Sequence, residues 1–154
     1  MEKLYSVERE YPVAISQLWS AWMDVAALEK WYSPTDLSVV PGSVVSEPFD
    51  GGWWTVGVDV SQHGFNAYFW GKYSELEVNK KIVHTLHYSQ DAAEFAARDL
   101  NTEAHRIEID FEERGEKSLV RFTQFGELAE GQAEQAKAGM ESYFDNLGQF
   151  LLPR

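Results

Sequence analysis

At 154 residues without a single cysteine, the chain has the length of one domain able to bury its own core, and it excludes disulfide frameworks, thiolate metal sites and cysteine nucleophiles. A net charge of −12 would repel a phosphate backbone, so nucleic-acid binding is not expected, and no stretch approaches the roughly 18 apolar residues of a membrane span. The start lacks a basic region followed by an apolar run, and with no thiols a reducing, cytoplasmic home is expected.

In chain order, Leu4 to Tyr11 alternates, with Tyr5, Val7, Arg9 and Tyr11 on one face, and Pro12 stops this first strand. From Ile15 to Trp31 the apolar spacing changes to three and four, through Leu18, Trp19, Trp22, Leu28 and Trp31. Asp24 offers a cap between two short helices. Leu37 to Val45 and Trp53 to Val60 read as strands joined through Pro48 and the turn signal Asp50-Gly51-Gly52. Phe65 to Val78 and Ile82 to Tyr88 then form a hairpin about Asn79-Lys80-Lys81.

Residues 89–102 are alanine-rich and polar, with weak helical spacing from Phe95 to Leu100, and are expected to be a mobile excursion. A second hairpin follows, His105 to Glu112 and Ser118 to Phe125, about Glu113-Arg114-Gly115-Glu116. From Glu130 to Leu152 the residues Ala133, Ala136, Met140, Tyr143, Phe144, Leu147 and Leu151 recur at helical spacing, opposite a charged face of Glu134, Lys137, Glu141 and Asp145. This order predicts one α+β domain over 1–154, an antiparallel sheet of about seven strands closed by a long C-terminal helix.

Six Trp, seven Tyr and nine Phe exceed what such a core needs, and rings with polar edges suit ligand cavities as well as cores. A pocket between sheet and helix would draw on Trp31 and Tyr32 at its mouth, Trp54, Phe69, Tyr73, Ile109, Phe122 and Gln124 from the sheet, and Met140, Tyr143, Phe144 and Leu147 from the helix. For any single ring the competing reading is core filling. Arg9, on the partly buried face of its strand, needs either a structural carboxylate or an anionic ligand group. Gln124 either orients a ligand or bonds to backbone, and the mid-helix Gly139 implies a close packing neighbour or a ligand.

His63, His84, His87 and His105 have no metal-site spacing, and strand alternation puts His84 and His87 on opposite faces, so neither a metal nor any other cofactor is expected. No nucleophile elbow, P-loop or dinucleotide fingerprint occurs. Acidic pairs such as Glu8/Glu10 and Glu112-Glu113 read as solvated. An outer stripe of Trp53, Tyr68 and Trp70 would be exposed, as a partner surface or a homodimer contact.

Several segments carry a resemblance. They are Glu8-Arg9-Glu10-Tyr11-Pro12-Val13 leading into Leu18-Trp19-Ser20-Ala21-Trp22-Met23-Asp24, then Trp31-Tyr32-Ser33-Pro34, Asp50-Gly51-Gly52-Trp53-Trp54, Trp70-Gly71-Lys72-Tyr73, and Gly139-Met140 with Phe150-Leu151. In this order they resemble the START-like helix-grip superfamily (SRPBCC) and, within it, the family named for the activator of the heat-shock protein 90 ATPase. The resemblance implies a curved sheet gripping the long helix, a cavity that in related families holds apolar molecules, and no shared catalytic motif. Met140 stands where that family often has Trp, and the 89–102 excursion is longer than usual. The expectation is noncatalytic binding of a small, ring-containing hydrophobic molecule. The alternatives are a cyclase- or hydrolase-like enzyme using polar pocket residues, and a chaperone-binding or other partner-binding module.

Overall fold

The computed structural model describes residues 1–152. Strand β1 (Glu2–Tyr11) ends at Pro12, and helices α1 (Ile15–Met23) and α2 (Val25–Trp31) follow as the apolar spacing predicts. Asp24 sits between them in an extended conformation, but its side chain makes no capping hydrogen bond; its backbone N–H closes α1 on Ser20 O. The remaining elements are β2 (Ser38–Val39), β3 (Val45–Ser46), β4 (Trp53–Val60), β5 (Phe65–Glu77), β6 (Lys81–Ser89), α3 (Ala92–Ala97), β7 (His105–Arg114), β8 (Lys117–Gly126) and α4 (Gln132–Leu151). Their order in the antiparallel sheet is β1-β8-β7-β6-β5-β4-β2, with β3 also paired to β4. The result is the expected α+β helix-grip architecture.

Two expectations are corrected. The strand predicted over Leu37 to Val45 is two pairs of residues, because Val40-Pro41-Gly42-Ser43 forms a turn with Gly42 at φ +78° and Ser43 N–H donating to Val40 O. The 89–102 excursion contains a helix earlier than the Phe95–Leu100 spacing suggests. Asp91 caps it, accepting from the N–H groups of Ala93 (2.7 Å) and Glu94 (3.3 Å), and Arg98 in the left-handed region ends it.

Helix α4 crosses the concave face and is fastened on both sides. Toward β1, the Tyr11 hydroxyl donates to Phe144 O at 2.6 Å; toward the loop after α2, Asn146 Nδ2 donates to Trp31 O at 3.0 Å and Ser33 O at 3.2 Å. Below its C-terminal half lies the core. Trp22 is the hub, edge-on to Trp31 at 4.8 Å and to Phe144 at 5.9 Å, and Trp31 Nε1 donates to Ala21 O. The N-terminal half of α4 carries the small residues Ala133, Ala136 and Gly139, all only partly buried. Small residues on that stretch leave space which the large Met140, Phe144, Leu147 and Leu151 remove further along.

Candidate functional site

That space is a cavity of about 250 Å³ under α4, lined by Tyr5, Tyr32, Trp54, Phe69, Leu86, Phe122, Gln124, Ala136, Gly139, Met140 and Tyr143. It shares Phe69, Leu86, Gln124 and Ala136 with a wider outer chamber of about 940 Å³, whose lining adds Tyr88, Glu103, His105, Glu127 and Leu128. The inner chamber is apolar with a few polar tips, and its lining carries no charged side chain. The outer one mixes apolar wall with polar side chains and carries two acidic ones, Glu103 and Glu127.

One wall is a run of rings, Trp54, Tyr32 and Tyr143, backed by His84. His84 stacks on Trp54 at 4.3 Å, Trp54 meets Tyr32 edge-on at 5.7 Å, and Tyr32 meets Tyr143 edge-on at 5.1 Å. His84 Nδ1–H donates to Thr85 O at 2.7 Å, and complete burial pulls its pKa down to about 4, so the ring stays neutral. Burial likewise pushes the Tyr5, Tyr32 and Tyr143 hydroxyls well above the ordinary tyrosine range, keeping them protonated.

At the junction of the chambers a polar chain crosses the sheet. The Tyr5 hydroxyl donates to Gln124 Oε1 at 2.6 Å, and Gln124 Nε2 donates to His105 Nδ1 at 2.7 Å. His105 Nε2 faces Glu127 O at 3.2 Å, and a carbonyl only accepts, so the imidazole proton lies on Nε2. The ring reaches this position because Gly126 has no side chain: a Cβ there would lie 2.4 Å from it.

Of the thirteen residues expected at the site, Arg9 included, Tyr32, Trp54, Phe69, Phe122, Gln124, Met140 and Tyr143 line the inner chamber. Trp31, Tyr73, Ile109, Phe144 and Leu147 are buried in the core and do not border it. Trp31 is therefore not at the mouth, because its indole is drawn inward against Trp22. Tyr73 instead ties the sheet edge, its hydroxyl 2.9 Å from Ser46 Oγ. Arg9 is outside the cavity, paired with Asp145 and with Glu141 at 3.7 Å while its guanidinium lies over the Phe144 ring at 5.7 Å.

Sequence reasoning left out Tyr5, Leu86 and Ala136. Alternation places Tyr5 beside Val7, and Leu86 beside His84, on the inner face, but nothing in their identity separates cavity wall from core. Gly139 has no neighbour within 4 Å of where a Cβ would stand, so no close packing partner explains it.

The outer stripe needs correcting. Trp70 is 1% exposed, stacked on His87 at 5.6 Å with its Nε1–H donating to Asp99 O at 3.0 Å. Phe95 of α3 stacks on Tyr68 at 4.7 Å, so the excursion covers this face. Trp53 is half-buried between the Lys72 ammonium and the Arg98 guanidinium.

Residues 12–151 match the family model of activator of Hsp90 ATPase homolog 1-like proteins (AHSA1), which covers nearly the whole chain. The chain belongs to this family. Solved structures share the fold at low identity. A Chromobacterium violaceum protein is 17% identical with a TM-score of 0.81, covering 97% of both chains. The AHSA1 protein of Silicibacter pomeroyi is 19% identical with a TM-score of 0.77, covering 96% of both. CalU16 from Micromonospora echinospora is 16% identical with a TM-score of 0.65, covering 96% of this chain and 75% of that one. No curated protein matches the chain. Among the described residues no three His, Asp or Glu side chains are placed to hold a metal, and no helix is long and apolar enough to cross a membrane.

Proposed function

We propose that this AHSA1 family member binds, without transforming it, a small ring-containing hydrophobic molecule in the cavity between α4 and the sheet. The observation that carries the reading is that the small Ala136 and Gly139 of α4 stand over an otherwise densely packed aromatic core, leaving about 250 Å³ unfilled beside the outer chamber that Phe69 and Tyr88 line. Protein interiors are normally packed to crystal density, and a void of this size costs stability unless it is used. The wall offers ring faces and edges to a flat guest, and the lining carries no charge to hold an ionic one.

Met140 supports the reading from the helix side. It is an adaptable side chain at the cavity wall, in a position where the resemblance leads one to expect the much larger Trp. Native mass spectrometry of freshly purified protein should show a copurified small molecule, and Nile red should become fluorescent on binding. Met140→Trp, which fills the chamber while keeping the helix, should abolish both. A wild-type protein without an adduct, whose dye binding is equal to that of the variant, would sink the carrier reading.

A further inference from the structure

Seven basic side chains form ion pairs with carboxylates, as a net charge of −12 makes easy. Lys72 of β5 and Arg98 at the end of α3 form none among the described residues, and both come to one ring. The Lys72 ammonium lies 4.6 Å and the Arg98 guanidinium 5.0 Å from the centre of the Trp53 ring. Two like charges so placed stand within about 10 Å of each other, the screening length of 0.1 M salt, and repel. Acids are at hand but are turned to other donors. Glu94 stands four positions before Arg98, the spacing at which a helix pairs such charges, yet its Oε1 accepts from the Ser89 hydroxyl at 2.8 Å. Asp99 Oδ1 accepts from Asn101 N–H at 2.9 Å, and Glu47 Oε1 from Trp53 N–H at 2.8 Å.

The backbone singles out the same arginine. Arg98 ends α3 at φ +50° and ψ 45°, in the left-handed region where glycine or asparagine is usual and other side chains are strained. Apart from Asn79, no other described non-glycine residue has a positive φ. The strain is held by the docking of the excursion, through Phe95 on Tyr68 and Asp99 O on the Trp70 indole N–H. What that docking achieves is a cation over Trp53, on the face of the sheet opposite Trp54 and the cavity.

We propose that Lys72 and Arg98, gathered at Trp53, form a binding site for a doubly charged phosphate group, that of inorganic phosphate or of a phosphate monoester. The guanidinium offers paired N–H donors that match phosphate oxygens, the ammonium supplies a mobile point charge, and together they balance a dianion. A dianion at the edge of the indole replaces their repulsion by attraction and ties the end of α3 to β5. The net charge of −12 decides against a polyanion, because an acidic polypeptide or a nucleic acid accumulates repulsion along its length and a single phosphate group does not. Neither cation lines the inner or the outer chamber, so this site is separate from the hydrophobic one and does not depend on it.

Thermal unfolding of the full chain reads the site, at constant ionic strength and about pH 8, where phosphate is doubly charged. Phosphate is also excluded from protein surfaces and stabilises them generally, so the quantity that counts is the difference between wild type and variants. At ten times the half-saturating concentration, inorganic phosphate or phenyl phosphate should raise the wild-type melting temperature by about 3–5 °C. Lys72→Gln and Arg98→Gly should each abolish the rise. Glycine takes a positive φ freely, so the second variant keeps the end of α3. Arg98→Lys, which retains the charge, should keep part of the rise. Phenyl sulfate, of the same shape with one charge fewer, should bind about tenfold more weakly than phenyl phosphate. A larger rise with phenyl phosphate than with inorganic phosphate would assign the site to an ester, and equal rises to the phosphate group alone. No rise in the wild type, the same rise in both variants, or equal affinity for the sulfate would overturn the proposal.

Discussion

At the scale of single residues, burial decides more than identity. Strand alternation separates His84 from His87, yet only the packing around His84 makes it a neutral support behind the cavity wall, stacked on Trp54 and bonded to Thr85 O. A titration consequence follows. Below pH 6.5 the unfolded chain takes up a proton on this imidazole and the folded protein does not until about pH 4, so stability should fall as pH drops through that window. The loss attributable to His84 is on the order of 3 kcal/mol. Carboxylates titrate in the same range, so the comparison is between wild type and His84→Phe, which keeps a ring on Trp54. The pH dependence of urea unfolding should be shallower in the variant between pH 4 and 6.5; identical slopes would show that His84 is not held neutral. Arg9 illustrates the opposite case. On a partly buried strand face it could have met an anionic ligand, but the charged side of α4 passes over it and supplies Asp145 and Glu141.

At the scale of elements, α3 and α4 each carry a prediction. Helix α3 has six residues, too few to persist alone, so its place depends on the Asp91 cap and on Phe95 lying against Tyr68. Trp70 beneath it is core rather than surface. Trp70→Ser should therefore cost about 3 kcal/mol or more in denaturant unfolding and leave the mass by light scattering unchanged. A lower mass without loss of stability would restore the outer face as a contact between copies. In α4, Gly139 interrupts an otherwise good helix with open space where a Cβ would go. Gly139→Ala should raise the unfolding free energy by about 1 kcal/mol, through helix propensity alone, and weaken Nile red binding because the new methyl enters the chamber. A loss of stability instead would mean that the space is smaller than it looks.

At the scale of the whole molecule, the architecture was legible because each long element carries its own period. Tyr5, Val7 and Tyr11 alternate, Met140, Phe144, Leu147 and Leu151 repeat at helical spacing, and both sets are buried on the face those periods assign. The two short helices, both long hairpins, the inner face of the sheet and the closing helix follow from that local pattern. What fails locally is what has little periodicity: the turn at Pro41-Gly42 divides a strand, and the weakly patterned excursion acquires a helix only because a face of Tyr68 and Trp70 lies beneath it. The site is where the sequence runs out. Trp54 and Trp31 have the same chemistry, and so do Tyr143 and Phe144 in most respects, yet one of each pair borders the cavity and the other fills the core. Periodicity assigns a side chain to a face; whether a neighbour from another element fills the space above it depends on the angle and depth at which α4 lies on the sheet. That placement is set by long-range contacts such as Tyr11 to Phe144 O and Asn146 to Trp31 O, which join residues more than a hundred positions apart. Thus the sequence by itself determined which faces are apolar and which family the chain resembles. Only the tertiary structure decided where the apolar faces fail to meet, because a void is a property of several elements at once.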